Sequence, residues 1–238
     1  MQYIGEILKI IQETPDVKTF RITRPSDFNF ISGQYCLVSF LGKTQFIDES
    51  RPFTFTSSPT QKDFIELTIK KMGEFTQALF KLQPGAKLQI NGPKGESLNF
   101  DASIKDNVVF IAGGSGITPC IAALRYAVAQ KLTNKIILLF SNRTEKDIIY
   151  RKELETLNKG SIKIVNTITD QIPHGWNGET RRIDRAMIEK YIQNPKSWLW
   201  FVCGPPPMVV ALKNILHELN IPEEKLRIEE WQLPGKSV

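Results

Sequence analysis

Four short segments of this 238-residue chain hold residue types whose spacing can do chemistry. The first is Val108–Pro119, VVFIAGGSGITP, where an apolar strand runs into a Gly-rich turn and then a helical pattern. Glycines let a backbone turn sharply and approach a ligand closely. The helix start that follows offers unpaired N–H groups and a partial positive charge, which suits a phosphate. Thr118 adds a hydroxyl, and Pro119 fits a first helical turn. A tight strand–helix turn without a ligand is the alternative reading. The spacing departs from GxGxxG, because Gly114-Ser115-Gly116 is followed by Ile117, Thr118 and Pro119.

The second segment, Phe201–Met208 (FVCGPPPM), ends a strand at Cys203 and turns rigidly through Gly204 and Pro205 into a helix. Such a turn stands at the carboxyl end of a parallel strand, where α/β ligands bind. Cys203 is read as a pocket wall; a thiolate nucleophile would need a base, and the only histidines are His174 and His217. The third, Arg51-Pro52-Phe53-Thr54-Phe55-Thr56-Ser57-Ser58, gathers a cation, two aromatics and four hydroxyls, a mix for an anionic aromatic ligand. Its alternation places Arg51, Phe53 and Phe55 on one face. An ordinary strand with a Phe core face is the alternative. The fourth, Leu67–Thr76 (LTIKKMGEFT), carries Leu67, Ile69 and Lys70 into a helix start at Gly73-Glu74-Phe75-Thr76, which again offers N–H groups to phosphate or is a plain cap. A further strand end reads Ser141-Asn142-Arg143, with no acid to hold a ribose hydroxyl. Arg143 there either pairs with a 2′-phosphate, favouring NADPH over NADH, or is a solvated loop residue beside Glu145 and Asp147.

The elements that must position these segments fall into two halves. Residues 1–101 read as short strands, Glu6–Ile11, Val17–Thr23, Gln34–Phe40, Arg51–Thr56, Phe64–Lys71 and Lys87–Asn91, with one helix near Thr76–Leu82. That spacing predicts a small antiparallel barrel. From 102 onwards, apolar strands (Val108–Ala112, Ile136–Phe140, Ile162–Thr169, Trp198–Cys203) alternate with helices (Pro119–Lys131, Asp147–Asn158, Asp184–Tyr191, Pro206–Leu219). This predicts parallel βαβ units buried on both faces. Two domains are expected, 1–101 and 102–238.

Composition narrows the function classes. The chain is 41% hydrophobic and 24% charged, ordinary for a globular protein. Its three cysteines are scattered and form no CxxC, so no metal or iron–sulfur site is expected. No apolar run approaches a membrane span, and the start, Met1–Glu6, lacks a signal-peptide pattern, so a cytoplasmic protein is expected. The net charge of +6 is uneven: residues 1–101 hold 12 basic and 11 acidic residues, and 102–238 hold 19 and 14. The excess falls on the half with the phosphate-type loop, and no basic run interleaved with aromatics argues for nucleic acid.

Taken together and in this order, RPFTFTS, GEFT, GGSGITP and CGPPPM resemble the ferredoxin–NADP⁺ reductase family of flavoproteins. The resemblance runs from the barrel to Trp231. It implies an FAD-binding antiparallel β-barrel followed by a parallel-sheet domain for NADP(H) or NAD(H). It implies that Arg51 pairs with the FAD pyrophosphate, that Phe53 stacks on the isoalloxazine in place of the usual Tyr, and that Thr54 stands near the reacting flavin nitrogen. Pro52, Leu67, Ile69 and Lys70 flank those roles, and Gly73, Glu74, Phe75 and Thr76 form the second pyrophosphate segment. Gly113, Gly114, Gly116, Ile117 and Thr118 resemble the nicotinamide-nucleotide loop, and Cys203, Gly204 and Pro205 the wall beside the nicotinamide. Gly92-Pro93-Lys94-Gly95 matches a family turn between the domains. Glu229 matches a glutamate tied to proton handling, and Trp231 a flavin-stacking aromatic, here followed by Gln232–Val238. The implied activity is hydride transfer between the nucleotide and FAD, with electrons leaving to a separate carrier such as ferredoxin, flavodoxin or an oxygenase component. A non-catalytic electron-transfer or sensor subunit that keeps the fold is the alternative, weakened by the lack of cysteines after Cys203.

Overall fold

The structure is a computed structural model that describes residues 1–42, 45–46 and 49–230, with Glu230 described by its backbone alone. The chain divides into two units, residues 1–102 with 121–132, and residues 103–120 with 133–238.

The first unit is built from β1 (Gln2–Thr14), β2 (Val17–Thr23), β3 (Tyr35–Phe40), β4 (Arg51–Thr54), β5 (Phe64–Lys70) and β6 (Lys87–Lys94), with helix α1 (Gly73–Phe80) after β5. All pairings are antiparallel, in the order β4-β3-β6-β1-β2-β5. The ring closes where Phe55 bridges Leu67 and the Thr56 N–H donates to Glu66 O at 2.8 Å. The inward side chains follow the two-residue period: Phe20 and Ile22, Cys36 and Val38, Ile65, Leu67 and Ile69, Leu88 and Ile90 fill one core. The outward residues Glu66 and Thr68 of β5 are buried as well. Residues 121–132, the later part of a helix, belong to this unit and account for Glu66, since Arg125 reaches it from there at 2.9 Å.

The second unit holds a parallel sheet of β7 (Val108–Gly113), β8 (Ile136–Asn142), β9 (Ile162–Ile168), β10 (Leu199–Gly204) and β11 (Leu226–Glu230), ordered β11-β10-β7-β8-β9. Helices α2 (Ile117–Ala129), α3 (Arg151–Leu157), α4 (Arg185–Tyr191) and α5 (Pro206–Glu218) connect the strands. Every residue of β7 and β10 is buried, as expected for strands covered on both faces. Val109, Ile111, Trp200 and Val202 meet Met187, Ile188, Leu212 and Leu216 in one core.

Three local readings change. The predicted helix over 147–158 is a single 3₁₀ turn at Glu145–Asp147 and then α3, because Ile148, Ile149 and Tyr150 are buried and Tyr150 takes a left-handed φ of 60°. Strand β11 carries no sequence signal, since LRIEE has only two apolar residues to mark it. Gly92-Pro93-Lys94 lies in the end of β6, inside the first unit, and is a strand end where a turn was expected.

Candidate functional sites of the two units

In the first unit, the predicted segments RPFT and GEFT converge. Arg51 and Phe53 lie on β4, half-buried, and Phe75 lies in the first turn of α1. The Arg51 guanidinium sits over the Phe75 ring, 5.3 Å from its centroid. The Phe53 and Phe75 rings are near-parallel, 6.5 Å apart and inclined by 27°. Phe40 and Phe46 pack edge-on against the same Phe75 ring at 5.1 and 5.5 Å, two aromatics that no motif had singled out. Arg51 is held in place by Glu49 Oε2 at 2.7 Å and by the Ser50 carbonyl at 3.1 Å.

The N-terminus of α1 has no side-chain cap. The Thr76 hydroxyl is engaged by the Met72 N–H and C=O, at 2.6 Å each, so it shapes the turn. Gly73 has φ of 72°, and a Cβ there would meet no atom within 4 Å, so the turn is open to a ligand. A fixed guanidinium, an uncapped helix start and the half-buried ring of Phe53 together fit a group that is both anionic and aromatic, as FAD is.

Other predicted residues of this unit are placed differently. Leu67 and Ile69 are wholly buried in the barrel core, so their side chains face away from any surface ligand. Lys70 pairs with Asp16 at 3.3 Å, and Glu74 and Pro52 are exposed. Thr54 is buried. Phe55 leaves the face of Phe53 and enters the core, because β4 stops at Thr54 and the chain bends to bridge Leu67.

In the second unit, the strand order reverses between β7 and β10, and a ligand crevice is expected beyond the carboxyl ends of those two strands. Both Gly-rich motifs end there. Their glycines serve close packing: a Cβ on Gly113 would lie 2.5 Å from Met208 Sδ, and one on Gly116 would lie 2.2 Å from the Cys203 carbonyl oxygen. Gly204 in turn faces the Gly113 nitrogen. Gly114 differs, with φ of 51° and nothing within 4 Å of a Cβ, so it is the glycine that faces open space. Ile117 and Thr118 are buried behind it, and Pro205 is exposed at the start of α5.

Cys203 is buried, which suits a wall rather than a nucleophile. Burial, with Cys203 nearby, pushes the Cys120 thiol well above its ordinary range. Arg143 projects from the end of β8 with its side chain 81% exposed, and its guanidinium lies 3.5 Å from Asp170 just past β9. Asp170 is an acid that no motif marks, because it follows the third strand of the unit rather than the second. The neighbouring Asn142 carboxamide is buried with no hydrogen-bond partner on nitrogen or oxygen. Buried amides are nearly always satisfied, so this one fits a bound polar group or water at the strand ends.

Glu229 stands in register with Cys203 on the adjacent strand, and burial raises its carboxyl above the usual range. A raised folded-state value means that the neutral form favours folding at low pH and that ionisation opposes folding as pH rises through that value. Glu229→Gln is therefore expected to raise the melting temperature at pH 7, with the gain shrinking to nothing near pH 4, where both side chains are neutral; thermal scans across that range check it. Trp231 lies outside the described residues.

Known proteins match this architecture. Residues 5–98 match the oxidoreductase FAD-binding domain, and residues 110–214 match the oxidoreductase NAD-binding domain. NADH-cytochrome b5 reductase 1 of Aspergillus terreus is 31% identical over 213 residues, covering 84% of this chain and 71% of that protein. The cytochrome b5 reductase domain of Ulva prolifera nitrate reductase superposes with a TM-score of 0.82 at 26% identity, over 97% of each chain. The ferredoxin reductase in carbazole 1,9a-dioxygenase shares the fold, with a TM-score of 0.83 at 23% identity, over 97% of this chain and 69% of that one. The chain spans from 37% to 71% of the length of curated relatives that it matches. It belongs to the ferredoxin reductase-like family of FAD- and NAD-binding oxidoreductases. Among the described residues, no helix is long and apolar enough to cross a membrane, and no group of three or more His, Cys, Asp or Glu is placed to hold a metal.

Proposed function

We propose that this protein is an FAD-dependent oxidoreductase that takes electrons from NADH and delivers them singly to a separate carrier protein. The convergence of Arg51, Phe53 and Phe75 on the uncapped start of α1 carries the reading. Bound FAD supplies the conversion of a two-electron hydride into one-electron steps. Arg51 and the α1 N–H groups neutralise its pyrophosphate, and Phe53 offers a stacking face. Gly114, with Thr118 behind it, approaches the pyrophosphate of the nucleotide. In the first unit Thr54 is assigned to the surroundings of the flavin, and in the second Cys203 and Glu229 are assigned to the surroundings of the nicotinamide.

NADH rather than NADPH is supported by Asp170. Its carboxylate already holds Arg143, the one cation proposed for a 2′-phosphate, and it would repel that phosphate while accepting from a ribose hydroxyl. Asp170→Asn is expected to lower the preference for NADH over NADPH by about tenfold, on the order of 1.4 kcal/mol. Arg143→Ala is expected to weaken NADPH more than NADH; equal effects on both would remove Arg143 from phosphate binding. Steady-state kcat/KM with each nucleotide checks both.

The relatives' names point to a haem carrier of the cytochrome b5 kind as acceptor, and the family resemblance adds ferredoxin, flavodoxin or an oxygenase component. An absorbance spectrum, followed by anaerobic titration with NADH and NADPH, tests the core of the reading. Visible flavin bands that NADH bleaches are expected, and cytochrome b5, ferredoxin and flavodoxin added in turn identify the acceptor. A colourless protein that FAD does not reconstitute would overturn the proposal, and a flavoprotein that no nicotinamide nucleotide reduces would leave the non-catalytic subunit reading.

A further inference from the structure

The outer edge of the parallel sheet holds a cleft that the reading above does not use. Its volume is about 640 Å³, within the roughly 300–1,000 Å³ of small-molecule sites. It is lined by the edge strand β9, by the turn at 175–179 and by the end of α4, all in the second unit. In the sheet order, β9 stands two strands from β7, so this cleft is separate from the crevice expected at β7 and β10.

The odd-numbered residues of β9 turn their backbone groups toward β8: Ser161 O accepts from the Ile136 N–H at 2.8 Å, and the Thr169 N–H donates to Asn142 O at 3.0 Å. The even-numbered residues therefore face outward. The Ile164 N–H donates to Asn158 Oδ1 at 2.9 Å, the Asn166 carbonyl accepts from the Glu179 N–H at 3.0 Å, and the Ile168 N–H donates to Glu179 O at 3.0 Å. Between them, the Ile164 carbonyl and the Asn166 N–H have no partner among the described residues. The covering segment meets the edge only from Gly178 onward, where a Cβ would stand 2.6 Å from Asn166 O. Asn166 Oδ1 is also buried without a partner. Buried acceptors are nearly always satisfied, so this one calls for a donor that a ligand brings.

Two half-buried aromatics border the cleft. The Trp176 indole N–H is fixed on Glu179 O at 2.9 Å, and the Tyr191 hydroxyl on Glu179 Oε1 at 2.6 Å. Both acids are engaged, Glu145 with Arg151 at 2.5 Å and Glu179 with Lys190 at 2.5 Å. Lys163, 4.7 Å from the centre of the Tyr191 ring, has no carboxylate partner among the described residues, so it supplies the surplus charge. A carbonyl at one position and an N–H two residues on present an acceptor beside a donor. That pair complements the amino group and ring nitrogen on the Watson–Crick edge of adenine or cytosine. The second amino hydrogen suits Asn166 Oδ1. We propose that this cleft binds a nucleoside monophosphate whose base carries an exocyclic amino group. The base pairs with the Ile164 carbonyl and the Asn166 N–H and lies against Trp176 or Tyr191, and the phosphate meets Lys163. This site goes beyond the oxidoreductase reading and needs no flavin.

The test is calorimetric titration of the full chain, FAD bound, with AMP, CMP and UMP. AMP and CMP are expected to bind, and UMP, which lacks the exocyclic amine, at least about tenfold more weakly. Lys163→Glu and Asn166→Leu are each expected to weaken AMP by about tenfold, while kcat/KM for NADH stays at the parent's level, because neither residue lies in the β7–β10 crevice. Should Lys163→Glu not fold, Lys163→Gln takes its place with the same direction of effect. Binding in the crevice alone gives the opposite pattern: AMP competes with NADH and keeps its parent affinity in every edge variant. That pattern overturns the proposal. So does the absence of AMP binding, and so does UMP binding as tightly as AMP. A binding component that the edge variants lose supports the site even where a second component competes with NADH. Failure of the oxidoreductase reading shows separately, as a parent flavin that NADH does not reduce, and leaves the AMP titration to decide this site.

Discussion

Gly116→Val is expected to abolish reduction by NADH while FAD stays bound. The Cβ alone would stand 2.2 Å from the Cys203 carbonyl oxygen, 2.5 Å from its carbon and 2.8 Å from the Gly204 nitrogen. All three are backbone atoms, which cannot swing aside as the end of a side chain can. The loop after β10 would have to withdraw from the loop after β7, at the point where the proposed crevice forms. Overpacking of this kind costs about 1–3 kcal/mol of stability, and the displaced loops carry the nucleotide contacts. We expect a loss of at least about a hundredfold in kcat/KM for NADH. Gly114→Ala separates crowding from conformation. It meets no atom but must hold φ of 51°, at a cost of roughly 1–2 kcal/mol, so its effect on stability is of similar size without any clash. Calorimetric titration with NADH checks both, and parent-like affinity in Gly116→Val would show that the two loops can part without consequence.

Arg51→Ala is expected to strip FAD from the protein. The guanidinium is already fixed by Glu49, Ser50 and the Phe75 ring, so little ordering remains to be done when a pyrophosphate arrives. A charge-assisted hydrogen bond contributes about 1.5–3 kcal/mol, and its loss should weaken FAD by roughly ten- to a hundredfold. Arg51→Lys should fall between, because it keeps the charge but loses the planar fork and the stack on Phe75. Fluorescence titration of the apoprotein with FAD measures this. Full retention of FAD by Arg51→Ala would remove it from the site and leave only the α1 start to hold the pyrophosphate.

The limits of sequence reading are visible in particular residues. Leu67 and Ile69 were grouped with the cofactor segment by adjacency, yet alternation on β5 sends both into the barrel core. Phe40 and Phe46 had no motif around them, and only folding brings them onto Phe75. Asp170 follows the third strand of its unit, whereas a local spacing rule searches the end of the second. Arg125 lies in no motif, and its partner Glu66 stands 59 positions earlier.

By itself, the sequence determined what depends on near neighbours. The short, closely spaced strands of the first half and the apolar runs of the second pointed to an antiparallel barrel and a parallel sheet. Gly-rich turns straight after buried strands marked the places where backbone can approach phosphate. Tertiary structure alone decided what depends on residues distant in the chain: the strand order that puts the reversal between β7 and β10, the packing of Gly116 on Cys203, the aromatic cluster around Phe75, and the pairing of Arg125 with Glu66. The reason is physical. Local patterns report which face of an element is buried, but a long-range pair forms only when the whole core closes, and no short window of sequence contains both partners.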